Sequence, residues 1–221
     1  DKFSIKKNKK SFDTISFSGP FSQNLIKNNN TIQKVLQMMR KLKLISSFYT
    51  IRVNKKIPVF AGLGGGSSNA AAVLKFLHPK IIKDEILNKI IDEVGSDLRL
   101  FFYDQGFLYN LKKVIKFKKK HNLFFLIVYP YIKCSTKQIY SKVKNHRNRK
   151  TNKKKLNKGV YAFINEITKS NNDLQSIVEK KYPDLKKLIS NISKEKGCYF
   201  SRMTGSGSAC YGLFRDKRCS K

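Results

Sequence analysis

A mixed α and β chain in two domains, 1–120 and 121–221, is what these 221 residues predict, and three observations point to it. Stretches that alternate apolar and polar residues, as half-buried strands do, interleave with stretches whose apolar residues recur every three or four positions, as in helices. A basic run from Lys112 to Lys120 breaks this interleaving near residue 120. The length also suits two units, since a domain usually takes about 100 to 200 residues.

In chain order, Phe12 to Phe17 reads as a strand, and NNNTIQKVLQMM after the GPF turn reads as a helix. Tyr49 to Val53 alternates as a strand should before the glycine-rich segment that follows. Asp84 is placed to cap a helix with Ile86, Leu87, Ile90, Ile91 and Val94 on one side, and Gly95 closes it. Asp97 therefore sits just beyond a helix end. Lys112 to Lys120 reads as a hairpin edge and a boundary. The longest apolar run, Leu123 to Val128, suits a buried strand and falls far short of the 18 or so residues of a membrane span. Ser135 to Val143 reads as a helix, and Lys144 to Lys158, with its RNRKTNKKK string, as a polar linker and a disordered insertion. Asn172 and Asp173 are placed to cap a helix from Leu174 to Lys180. A strand, a second glycine loop and a last strand follow. Tyr131 and Tyr140 read as core or sheet residues rather than platforms for a base.

The segment PVFAGLGGGSSNAAA, Pro58 to Ala72, carries the most chemistry. Consecutive backbone N–H groups converge on an anion only where no Cβ blocks its approach, and Gly62, Gly64, Gly65 and Gly66 clear such a space. Ser67 or Ser68 is placed to cap the alanine-rich helix, whose free N–H groups and dipole face the same point. Two other glycine loops do not fit. The GK[ST] ending of a P-loop is missing, and no acidic residue follows about 20 positions later on a strand end, as a dinucleotide site requires.

Pro58 to Ala72 resembles the phosphate-binding signature of the GHMP kinase superfamily, PxxxGLGGGSS followed by Asn or Asp and Ala-Ala. The string GLGGGSSNAA is most similar to the branch that phosphorylates the cytidine diphosphate ester of methylerythritol in the non-mevalonate isoprenoid pathway. VGSDLRLFF (Val94 to Phe102), PYIKCSTKQIY (Pro130 to Tyr140), Asn172-Asp173-Leu174 and RMTGSGSACYGLF (Arg202 to Phe214) resemble further segments of that branch in the same order. The resemblance implies an α+β, two-domain GHMP kinase fold: an S5 domain 2-like N-terminal domain, present in part, and a ferredoxin-like α/β sandwich. It implies ATP and Mg²⁺ as cofactors. Pro58, Val59, Phe60, Ala61, Gly62, Leu63, Gly64, Gly65, Gly66, Ser67 and Ser68 would hold the nucleotide, with one of the two serine hydroxyls on the metal. Asp97 would be the catalytic base, and Thr204, Gly205, Ser206 and Gly207 would line the acceptor site. Arg99 stands where the family block has a proline. The expected partner is that small-molecule substrate, with no nucleic acid and no membrane, for a cytoplasmic monomer or homodimer. The resemblance also implies that about the first fifty family residues, with a lysine beside the reacting hydroxyl and a Gly-Tyr-His element, are absent from the chain as given.

The formal net charge of +33 is the strongest pointer to another class, since it would draw the chain toward polyanions. Yet of 47 basic residues 39 are lysine and 8 arginine, whereas bidentate base and phosphate reading favours arginine. The lysines are spread along predicted helices and strand edges, and asparagine is also abundant, at 18 residues, a pattern that fits the drift of an AT-rich coding genome. A basic nucleic-acid-binding module of S5-like fold and a homoserine, mevalonate or galactose-type kinase are the alternatives. Cys134, Cys198, Cys210 and Cys219 lack CxxC spacing and the histidines His78, His121 and His146 are scattered, so no metal site is indicated.

Overall fold

The computed structural model describes residues 1–221 apart from 24, 26–29, 110, 112, 118–119, 144–157 and 220–221. The linker expected from Lys144 lies outside the described residues. The chain forms two units: Asp1–Val59 with Gly64–Lys116, and Phe60–Leu63 with Phe117–Lys221.

In the first unit, β1 (Lys2–Asn8), β2 (Thr14–Ser18) and β3 (Phe48–Asn54) form a sheet with β3 in the middle, antiparallel to β1 and parallel to β2. A parallel pair needs a crossover, and α1 (Thr31–Lys41) supplies it. The register sets Ile5 and Ile15 beside Ile51, and Phe3 and Phe17 beside Val53. These form one apolar face, which Ile32 and Leu36 of α1 and Val73 of α2 (Gly65–Leu77) cover. Each side chain so buried stabilises by about 1.5 to 3 kcal/mol. Asn30 caps α1 by accepting from the Gln33 N–H at 3.0 Å, and Arg40 and Lys41 suit its negative end. A second core joins α1 and α2 to α3 (Asp84–Val94) and to a 3-10 helix, Ser96–Phe102, through Val35, Met39, Ala71, Leu74, Ile90 and Leu98. Asp84 turns out to be the first residue of α3 rather than its cap. Lys83 holds the cap position without a side-chain bond. A short hairpin, β4 (Gly106–Tyr109) and β5 (Lys113–Lys116), completes this unit.

In the second unit, β6 (Phe124–Val128), β8 (Cys210–Phe214) and β7 (Cys198–Met203) pair antiparallel with β8 in the centre. The helices are α4 (Thr136–Tyr140), α5 (Val160–Thr168), α6 (Gln175–Lys181) and α7 (Pro183–Lys194). Val178, Leu185, Ile189 and Ile192 pack with Met203, Cys210 and Phe214. On β6 only Phe124, Leu126 and Val128 meet this core, while Phe125 and Ile127 are exposed. The apolar run is thus half-buried rather than buried, because pleating sends alternate side chains to opposite faces and the α6–α7 core takes one of them. Helix α4 is five residues long, shorter than the expected 135–143. It turns Ile139 inward and Tyr140 outward, so Tyr140 is not a core residue. Nor is Tyr131, which is exposed at φ 59° with its ring centroid 4.9 Å from that of Tyr129.

Candidate functional site

Helix α2 begins at Gly65, earlier than a serine cap would place it. Gly64 occupies the cap position at φ 66°, ψ 18°, with no side-chain cap bond. Neither Ser67 nor Ser68 is the cap; both lie in the first turn. A left-handed residue ahead of the helix favours glycine, which moves the start upstream of the serines. The Ser68 N–H already donates to Gly64 O at 2.9 Å, and Ser68 Oγ donates to Gly65 O at 3.0 Å. The Ser67 hydroxyl has no such partner among the described residues. The first N–H groups of α2 therefore lack a side-chain acceptor at the positive end of a 13-residue helix, which suits an anion.

Apart from Gly66, the glycines are constrained by neighbouring protein atoms. A Cβ on Gly62 would lie 2.1 Å from Thr204 O, and one on Gly205 would lie 2.9 Å from Gly62 O. A Cβ on Gly64 would meet the Phe101 ring at 3.0 Å, one on Gly65 Ile57 Cγ2 at 3.1 Å, and one on Gly66 Thr31 Oγ1 at 3.4 Å. At all of these but Gly66, where the contact is an ordinary one, the space that the glycine clears is filled by the protein itself. Phe60–Leu63, in the second unit, is stitched to its neighbours: Cys134 N–H donates to Phe60 O at 3.0 Å, Ala209 N–H to Ala61 O at 3.1 Å, and Thr204 Oγ1 to Gly62 O at 3.0 Å. The two glycine loops are in backbone contact, which the sequence, with Gly62 and Thr204 lying 142 positions apart, does not reveal.

In the second loop the Ser206 hydroxyl is buried and hydrogen-bonded to Thr136 Oγ1 at 2.9 Å, so it faces protein. Gly207 is closed in as well, a Cβ there meeting Met203 Sδ at 2.5 Å. Of the four predicted residues Gly205 is the exposed one. Neither Asn172 nor Asp173 is the cap of α6, since Leu174 holds that position without a side-chain cap bond; Asn172 instead joins the approach to the helix to the loop. Its Oδ1 accepts from the Leu174 N–H at 3.0 Å, and its Nδ2 donates to Met203 O at 2.9 Å and Gly205 O at 2.7 Å. It thereby ties the start of α6 to the loop.

Asp97 is exposed on the 3-10 helix, which Leu98 anchors in the core of the first unit. This helix runs against α2, with Phe101 at Gly64 and Lys75 Nζ donating to Phe101 O at 2.6 Å. Arg99 does not pair with Asp97. It is buried and reaches α3, with Nη1 3.4 Å from Asp84 Oδ1 and Nη2 on Asn88 Oδ1. Among the described residues the Asp97 carboxylate has no hydrogen bond or ion pair, and it is free to face a ligand.

Sequence reading missed Lys55, whose side chain is 3% exposed and paired with the Asp1 carboxylate beside α2. The signal was present, because Lys55 follows Ile51 and Val53 on the inward side of the alternation. Burial pulls its ammonium down to about 8 from the ordinary 10.5. Among the described residues no three His, Cys, Asp or Glu side chains gather as a metal site would. Burial also pushes the Cys210 thiol up to about 12, so it stays protonated and inert.

Within the first unit, then, the uncapped start of α2 and the exposed Asp97 carboxylate lie on adjoining elements, α2 and the 3-10 helix packed against it. Residues 30–98 match the model of the GHMP kinases N terminal domain and residues 153–218 that of GHMP kinases C terminal. The chain belongs to the GHMP kinases. The curated relatives include the 4-diphosphocytidyl-2-C-methyl-D-erythritol kinase of Pelagibacter ubique, 37% identical over 214 residues that cover 94% of this chain and 74% of the relative. The kinase of the same name from Thermodesulfovibrio yellowstonii is 31% identical over 208 residues, covering 86% and 71%. The crystal structure of a 4-(cytidine 5'-diphospho)-2C-methyl-D-erythritol kinase superposes with TM-score 0.68 at 20% identity, over 98% of this chain and 78% of that one. A homoserine kinase from Cytophaga hutchinsonii gives 0.72 at 17% identity, over 99% and 77%. These superpositions show the fold, α+β and of GHMP kinase type. GHMP kinases use ATP with a divalent metal. Among the described residues no helix is long and apolar enough to cross a membrane.

Proposed function

We propose that the chain catalyses ATP-dependent phosphorylation of the 2-hydroxyl of 4-diphosphocytidyl-2-C-methyl-D-erythritol, a step of the non-mevalonate isoprenoid pathway in the cytoplasm. The observation that carries the chemistry is the uncapped start of α2 behind Gly64. The acceptor is supported by the 37% identity to a kinase of that name.

The residues present fit a nucleotide's polyphosphate. The N–H groups of Gly65, Gly66 and Ser67 would hold it, and Ser67, whose hydroxyl is free where that of Ser68 is engaged, would meet Mg²⁺. Bound MgATP supplies the transferable phosphoryl group and offsets the charge on its oxygens. Asp97 would accept the proton of the acceptor hydroxyl, and its exposure keeps the carboxylate reachable. The backbone of Thr204 and Gly205, held by Asn172 and by Gly62, would orient the acceptor.

The full-length protein with MgATP should release ADP on addition of the cytidylyl ester. It should release none with mevalonate, homoserine or galactose. Turnover with one of those three and none with the ester would overturn the acceptor assignment and leave the kinase class standing.

A further inference from the structure

Lys55 and Asp1 form a buried ion pair, and the remaining side-chain hydrogen bonds of Asp1 lead toward the glycine loop. A buried ammonium or carboxylate persists only when paired and hydrogen-bonded, since desolvating either costs several kcal/mol. Here the Asp1 side chain is 1% exposed and its two oxygens divide the work. Oδ2 accepts from Lys55 Nζ, while Oδ1 accepts from the backbone N–H groups of Lys56 at 2.7 Å and Ile57 at 2.9 Å. Those two residues lie beyond β3, which ends at Asn54, and lead directly toward Pro58 and the loop. Lys55 is itself fixed, its N–H donating to Ser18 O at 2.7 Å and its carbonyl accepting from the Phe21 N–H at 3.4 Å.

Both ends of this arrangement converge on one residue. From the point where a Cβ on Gly65 would stand, Ile57 Cγ2 is 3.1 Å away and Lys55 Nζ 3.5 Å. Gly65 is the first residue of α2. The pair therefore braces the first turn of α2. Its influence is geometric rather than long-range, because Asp1 neutralises the lysine, and the near-absence of solvent at both side chains keeps the ammonium from reaching a ligand as a simple phosphate clamp.

We propose that the Asp1–Lys55 ion pair is a positioning element of the nucleotide site, which sets the 55–57 segment against the first turn of α2 and so aims that turn's N–H groups. The inference rests on the reading of this turn as a polyphosphate cradle.

The test uses the full-length protein and its Lys55→Met, Asp1→Asn and doubly substituted variants, each held below its melting transition. MgATP affinity is measured by calorimetry, and KM for ATP and for the acceptor by steady-state kinetics. Each single variant should weaken MgATP binding at least tenfold, with KM for ATP rising in parallel and KM for the acceptor staying within twofold. The double variant should recover part of the loss, since it leaves no charge buried alone. It also carries the comparison if a single variant does not fold. Variants that melt earlier yet bind MgATP within twofold of the parent would reduce the pair to a structural role and overturn the proposal. A parent protein that does not bind MgATP would instead overturn the cradle reading, and the proposal with it.

Discussion

At the scale of single residues, Asp97 and Gly62 separate what chemistry requires from what packing requires. Asp97 is exposed, unpaired among the described residues, and anchored only through its neighbour Leu98. Asp97→Asn should therefore leave the fold and MgATP affinity nearly unchanged and cut kcat by about 10² to 10⁴, the range for a lost general base. Steady-state kinetics beside calorimetry checks this, and unchanged turnover would remove Asp97 from the role. Gly62 stands at φ 70° with Thr204 O 2.1 Å from its Cβ position. Gly62→Ala should lose about 1 to 3 kcal/mol or more in urea unfolding, as an L residue is strained there and the two loops must part. Gly66→Ala is the control. Its Cβ would meet Thr31 at 3.4 Å inside a helix, where alanine is favoured over glycine by up to about 1 kcal/mol, so stability should hold or rise. Equal losses at the two positions would refute the packing account of the loop.

At the scale of elements, the important joints lie between pieces far apart in sequence. Asn172 joins the start of α6 to the second glycine loop through one accepted and two donated hydrogen bonds. Asn172→Ala should cost about 2 to 3 kcal/mol, at roughly 1 kcal/mol for each bond. Asn172→Asp should cost more, because it keeps the bond to the Leu174 N–H and turns a carboxylate oxygen toward two carbonyls. Urea midpoints rank the variants, and an Asp variant as stable as the parent would show that the loop does not depend on this joint. The sequence suggested Asn172 as a helix cap, since Asn before an apolar run is a local signal, but the helix starts later and Leu174 takes the cap position. The two bonds of Asn172 to the loop were not legible, because the Met203 and Gly205 carbonyls are brought to it only by the packing of α6 on β7. The serine pair shows the reverse case. Serines before an alanine-rich run suggested a cap, but Gly64 can take the left-handed conformation that starts the helix one turn earlier.

At the scale of the whole molecule, the formal charge of +33 is compatible with a small-molecule kinase, because charge at this scale governs association and leaves the fold alone. The predicted consequence is loose binding of duplex DNA at low salt, with affinity falling steeply and without sequence preference as salt rises from about 50 to 200 mM. A fluorescence anisotropy titration reads this directly. Tight, sequence-selective binding at physiological salt would favour a nucleic-acid function. Short-range order determined the rest of what could be read from the chain. Periodicity located β3, α1 and α3, and the GLGGGSSNAA string pointed to the kinase family, because strands, helices and such loops are set by neighbouring residues. Tertiary structure alone decided the contact of Gly62 with Thr204, the exposure of Tyr131 and Tyr140, the one-sided burial of β6 and the pairing of Lys55 with Asp1. Each of these depends on which surfaces meet once the chain has folded, and residue order carries no record of that below the level of the whole fold.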